Sequence, residues 1–193
     1  MLPRRFCDRG CLLVARALLG QWLCHHTGTE LRWGRIVEVE AYGGEADPAS
    51  HAARGPTPRN RPMYGEPGRA YVYLSYGMHH CLNVVAEPSG RAAAVLVRAV
   101  ELGPLPPAAY PRADGPGRLC RALGVDRSHD GRDLCRAGRG RIWLAAGEEV
   151  PEAAVGWGPR VGVAAPAPWR CRDVRSRAVS QPRVGLPQPA AVG

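Results

Sequence analysis

The stretch Leu31–Tyr42 restricts this chain more than any other. Val37, Val39 and Ala41 alternate with Ile36, Glu38, Glu40 and Tyr42, the period of a β-strand. One face of that strand is apolar, and the other carries two carboxylates and a tyrosine into a long loop. If the polar face lies in solvent, the carboxylates are merely hydrated. If it lines a cleft, they repel one another and one becomes a candidate general base. Arg98 is the matching oddity, because it interrupts the apolar run Ala93-Ala94-Val95-Leu96-Val97. A buried arginine needs a carboxylate, and Glu38 or Glu40 is the natural partner, although structural ion pairing alone would account for it.

The remaining elements follow from period and punctuation. A helix is predicted over 10–20, with Asp8 as its N-cap, Leu12, Ala15, Leu18 and Leu19 at helical spacing and Gly20 as its stop. Strands are predicted at 21–26 and 31–42 around Thr27-Gly28-Thr29, then at 70–76, 78–85 and 91–102, with Gly77 bending the chain between the first two of these three. Residues 43–68 have no period and many Gly, Pro, Asn and Arg; a loop of that length is usually functional or disordered. A Pro-rich connector, 103–111, precedes a short helix opened by Pro116 and closed by Gly124, with Leu119, Cys120 and Leu123 on one face. Short strands are predicted at 141–144 and 160–163. Residues 170–193 lack apolar period and aromatics and read as a disordered tail, leaving one domain over 1–169.

Composition narrows the function classes. No window approaches the eighteen or so apolar residues of a membrane span, and no signal peptide is read at the start. The net charge of +9 suits a polyanionic partner, since cations release counterions condensed on nucleic acid. An inert basic surface would have the same charge. All 26 basic residues are arginine. The seven cysteines read as reduced thiols. Cys24-His25-His26 and His79-His80-Cys81 invite a zinc reading. However, no C-x-x-C pair exists and adjacent strand residues point to opposite faces, so no metal or other cofactor is expected.

Four of the six tyrosines, Tyr64, Tyr71, Tyr73 and Tyr76, fall in one window. Tyr71 and Tyr73 share a strand face, and Tyr76 precedes Gly77 at the expected tip of a hairpin. Such residues suit an extruded base and a wedge into a base stack. Judged by spacing alone, a tyrosine-rich sheet core explains them better.

Several motifs in fixed order resemble the alkyladenine (3-methyladenine, methylpurine) DNA glycosylase family. They are Arg35–Tyr42, Ser50-His51, Thr57–Tyr64, Tyr71-Val72-Tyr73, Tyr76-Gly77-Met78, Cys81-Leu82-Asn83, Val95–Ala99, Gly115-Pro116 with Leu119-Cys120, and Arg160–Val163. The resemblance covers about Leu13 to Trp169. It implies a mixed α/β single domain with a curved antiparallel β-sheet, surrounding helices and a protruding, DNA-intercalating β-hairpin. It implies that Glu40 is the catalytic base, and that Arg98 and the main-chain carbonyl of Val161 hold the attacking water. Tyr42, His51 and Tyr73 would stack on the extruded base, Asn83 would screen exocyclic amines of the guanine type, and Tyr76 would fill the gap in the DNA. The implied partner is double-stranded DNA containing damaged purines, bound by a monomer in a nucleus, a mitochondrion or a bacterial cytoplasm. Two departures stand out. Family members continue after Trp169 with an aromatic pair and a further strand, and Cys171-Arg172-Asp173-Val174 carries no such signal, so that strand is expected to be missing or replaced. His79 and His80 stand where family members often have bulkier aromatics.

The implied chemistry suits these residues. C–N cleavage passes through an oxocarbenium-like sugar, which an anionic Glu40 near C1′ would stabilise while deprotonating water. A binder without turnover is the first competing reading, strengthened if the divergent end disrupts the site. A zinc nucleobase deaminase would need H-x-E and P-C-x-x-C elements, and neither occurs. An arginine-rich structural protein would leave the ordered motifs unexplained.

Overall fold

A computed structural model describes residues 1–103, 112–164 and 169–176. The long strand is there with the bounds its alternation implies: β2 (Leu31–Tyr42) is the spine of an antiparallel sheet of eight strands. β1 (Trp22–His26), β3 (Ala70–Ser75), β4 (His79–Val85), β5 (Ala94–Leu102) and β6 (Ile142–Ala145) join it in the order β3-β4-β5-β2-β1-β6. One edge of β2 pairs with β5. The other is shared between β1, opposite residues 31–35, and β8 (Arg170–Asp173), opposite residues 38–40. β7 (Val155–Gly158) then pairs with β8. The result is a single mixed α/β domain whose sheet curls into a half-barrel.

The curl is held by the segment after α2 (Pro116–Leu123). It joins β3 through Ala70 N–H to the Arg132 carbonyl, 2.8 Å, and β6 through Leu144 N–H to the Leu134 carbonyl, 2.8 Å. The same segment covers the free edge of β3: the Asp130 carboxylate accepts from Val72 N–H at 2.8 Å and Arg127 donates to the Val72 carbonyl. An edge satisfied by side chains offers no template to another strand. α1 (Cys11–Leu18) buries Cys11, Val14, Ala15 and Leu18 at helical spacing, and α2 buries Leu119, Cys120 and Leu123 before Gly124 (φ 72) ends it.

Three expectations need correction. The N-cap of α1 is Gly10, not Asp8, and the helical N–H of Cys11 donates to Glu87 Oε1 at 3.1 Å. A carboxylate brought in from the turn after β4 replaces the local cap and meets the positive helix end. Residues 160–163 are a turn and coil, with Gly162 at φ 72; the nearby strand is β7, whose glycine-rich Val-Gly-Trp-Gly gives no alternation. Residues 170–173 form β8 rather than the start of a tail, so the closing strand, expected to be missing or replaced, is not missing. Its arginines hid it: Cys171 points into the core, while Arg170 meets buried Glu38 and Arg35 meets buried Asp173. The connector 104–111 and residues 177–193 lie outside the described residues. No helix among those described is long and apolar enough to cross a membrane.

Candidate active site

The two carboxylates of β2 do not face solvent; Glu38 and Glu40 are both fully buried. The register explains how one arginine reaches both. Glu38 pairs with Ala99 but Val39 with Val97, which leaves Arg98 as the extra residue of β5, and Val37 is the extra residue of β2 one step earlier. Such bulges turn a side chain away from its regular direction. Arg98 Nε lies 3.5 Å from Glu38 Oε1 and Nη1 3.3 Å from Glu40 Oε1. Arg170 adds a second cation 3.3 Å from Glu38, so two buried carboxylates meet two guanidinium groups.

Glu40 is surrounded by donors. Val161 N–H donates to Oε1 at 2.7 Å and the Tyr42 hydroxyl to Oε2 at 3.0 Å. Burial and the adjacent Glu40 charge push the Tyr42 phenol far above its ordinary range, so it remains a donor. Val161 thus meets Glu40 through its N–H, whereas the resemblance singled out its carbonyl. The turn carrying Val161 is fastened by Arg160. Its guanidinium chelates buried Asp47 (Nη2 to Oδ1, 2.8 Å), donates to the Ala41 carbonyl at 3.0 Å and stacks over Tyr42 and Trp169 at 4.7 and 5.2 Å. Burial works against the Asp47 carboxylate, but Arg160 together with the N–H groups of Ala49 and Gly43 outweighs it and its pKa falls below the ordinary value. Gly43 is needed for this packing, since a Cβ there would stand 2.5 Å from the Trp169 ring.

Of these groups, Glu40, Tyr42, Arg98 and Val161 line a cavity of about 840 Å³. Its lining brings together all eight residues singled out from the sequence: Glu40, Tyr42, His51, Tyr73, Tyr76, Asn83, Arg98 and Val161. Tyr73 and His51 meet edge-on at 4.5 Å, and His51 Nδ1 is 2.8 Å from the Tyr71 hydroxyl. Asn83, buried opposite Tyr71 in the β3–β4 ladder, donates from Nδ2 to the Tyr71 carbonyl at 3.0 Å. Tyr76 is different. β3 and β4 are joined through Tyr76-Gly77-Met78, where Tyr76 and Gly77 have φ 49 and 68, and Tyr76 is 93% exposed. Positive φ at successive central residues is the mark of a tight hairpin turn.

Sequence reading missed three contributors. The Asp47–Arg160 pair joins residues 113 apart and has no local signal. Gly115-Pro116-Gly117, with Arg118 and Arg121, brings the start of α2 to the cavity. Cys81, the strand partner of Tyr73, forms part of the wall. Among the described residues no group of three metal-ligating side chains gathers.

The chain matches the family model described as methylpurine-DNA glycosylase over residues 5–188. It is similar to a candidate 3-methyladenine DNA glycosylase of Myxococcus xanthus, 53% identical over 175 residues that cover 90% of this chain and 88% of the relative. A counterpart from Anaeromyxobacter dehalogenans with the same designation is 48% identical over 191 residues, covering 98% and 88%. One from Streptomyces avermitilis is 46% identical over 182 residues, covering 88% and 85%.

Proposed function

The chain belongs to the methylpurine-DNA glycosylase family, and from that premise we propose that it extrudes a damaged purine from duplex DNA into the cavity and hydrolyses its N-glycosidic bond with water activated by Glu40. The reading is carried by one observation: a fully buried carboxylate in the wall of an aromatic-lined cavity that an exposed tyrosine also lines. Extrusion costs a few kcal/mol, and stacking on aromatic rings returns roughly 1–3 kcal/mol per base. Tyr42, Tyr73 and His51 offer those rings, and Tyr76 takes the place of the extruded base.

Glu40 accepts the hydrogen bonds described for it, from the Tyr42 hydroxyl and Val161 N–H, and these fix its carboxylate in place at the cavity. The oxygen of water attacks C1′, its proton passes to Glu40, the C1′–N bond breaks and its electron pair leaves with the purine. Arg98 steadies Glu40 during this step. The substrates are alkylated or deaminated purines of the 3-methyladenine, 7-methylguanine, hypoxanthine and ethenoadenine class, and the enzyme acts as a monomer. A binder without turnover gains ground if the divergent end disrupts the site; against it, β8 pairs with β2 beside Glu38 and Glu40.

Duplexes each carrying one defined lesion, treated with alkali after incubation, test the reading. Wild-type protein leaves alkali-labile abasic sites. Glu40→Gln retains duplex binding and loses roughly 10²–10⁴-fold in single-turnover rate, the usual worth of a general base. Near wild-type turnover by that variant sinks the assignment.

A further inference from the structure

Arg59 stands in the loop between β2 and β3, and its neighbour Asn60 determines where it points. The buried Asn60 amide donates to the carbonyls of His51 and Gly55 at 2.8 and 2.9 Å, and its oxygen accepts from Thr57 N–H at 2.6 Å. The loop is thereby tied to the cavity wall, and the Arg59 side chain is delivered to β3. There its guanidinium lies 5.2 Å over the Tyr73 ring, and Nη2 donates to the Leu74 carbonyl at 3.3 Å. Among the described residues no carboxylate forms an ion pair with it, so its charge is not locally cancelled. His51, edge-on to the same ring, is pushed below its ordinary pKa by burial first and by Arg59 second.

A tyrosine ring attracts cations through the negative potential of its faces. A cavity walled by such rings would by default favour alkylated purines that carry a formal positive charge. A guanidinium already stacked on Tyr73 draws on that same potential and repels a second cation nearby. We propose that Arg59 is a specificity-determining residue, which by stacking on Tyr73 disfavours cationic purines in the cavity relative to neutral ones. The inference rests on the cavity being the lesion pocket.

The test compares single-turnover excision of 7-methylguanine, a cation, with that of hypoxanthine, which is neutral. Arg59→Gln and Arg59→Met remove the charge, and Arg59→Lys keeps it. The 7-methylguanine to hypoxanthine rate ratio rises about three- to tenfold in the two neutral variants, the scale of one partly screened charge, and stays near wild type in the lysine variant. A ratio cancels any loss of active protein or of phosphate contact common to both substrates. The ratio of duplex affinities, taken in the Glu40→Gln background, reads the same preference without turnover and moves the same way. An unchanged ratio in both neutral variants, or an equal rise in Arg59→Lys, overturns the role of Arg59. Wild-type protein that excises no purine lesion overturns the glycosylase reading itself.

Discussion

Tyr76 concentrates the tension between stability and use at the scale of one residue. It holds φ 49 without being glycine and exposes an aromatic ring to water. Left-handed backbone costs an L-residue about 1–2 kcal/mol, and such strain persists where function needs the side chain. Tyr76→Gly relieves that strain, so its thermal midpoint is expected at or above that of wild type, while extrusion of a fluorescent reporter base falls. A variant that melts earlier contradicts the strain, and one that extrudes the base normally contradicts the wedge role. Arg98 illustrates how far one residue could be read. Its place in an apolar run announced a buried cation with a carboxylate partner, and the structure gives it both Glu38 and Glu40. Nothing in the sequence revealed the bulge that lets it reach the two.

Among the strands, β8 has the least apolar content, and its charged residues find partners across the fold. Asp173 is fully buried between Arg175 and Arg35, with oxygens 2.9 Å from each. The Arg175 bonds foremost hold its carboxyl well below the usual range, those of Arg35 adding to this, and together they overcome its burial. A depressed folded pKa adds stability that is full above the unfolded value of about 3.9 and is lost as pH falls through the folded one. Asp173→Asn therefore lowers stability by roughly 1–3 kcal/mol at neutral pH, and its melting gap from wild type narrows in acid. A gap constant with pH would remove the charge from the account. This element also marks the limit of periodicity as a guide. β2 was legible because apolar and polar residues alternate along it, and β3 and β4 because Gly77 punctuates two strand-forming runs. β8 alternates Cys171 with Arg170 and Arg172, and Arg170 meets its carboxylate, Glu38, 132 residues earlier along the chain, so the amphipathic character of the strand exists only in the folded state. The same holds for the Val161 turn, which is a strand by composition and a turn by virtue of Gly162.

For the molecule as a whole, the charge of +9 is carried by arginine alone, with lysine absent from all 193 residues. Enzymatic cleavage of the DNA strand by β-elimination uses an amine that forms a Schiff base at C1′, and a guanidinium stays protonated. The Met1–Leu2 segment is tied to β6 by Leu2 N–H on the Leu144 carbonyl, 3.0 Å, and β6 ends the strand order opposite to β3 and β4. Borohydride added during turnover is expected to trap no protein–DNA adduct, and strands are expected to stay intact until alkali is added. A stoichiometric adduct would overturn the hydrolytic mechanism. The docking of β8 beside Glu38 has a consequence for biosynthesis. A ribosome releases the chain from its amino end, and β1 to β5 emerge long before Arg170. Until that residue appears, one edge of β2 stays unpaired at residues 38–40 and Glu38 lacks one of its two cations. An unfinished polypeptide therefore carries an open edge beside its two buried glutamates, and translation itself times the moment at which that edge closes and Glu38 gains its second cation.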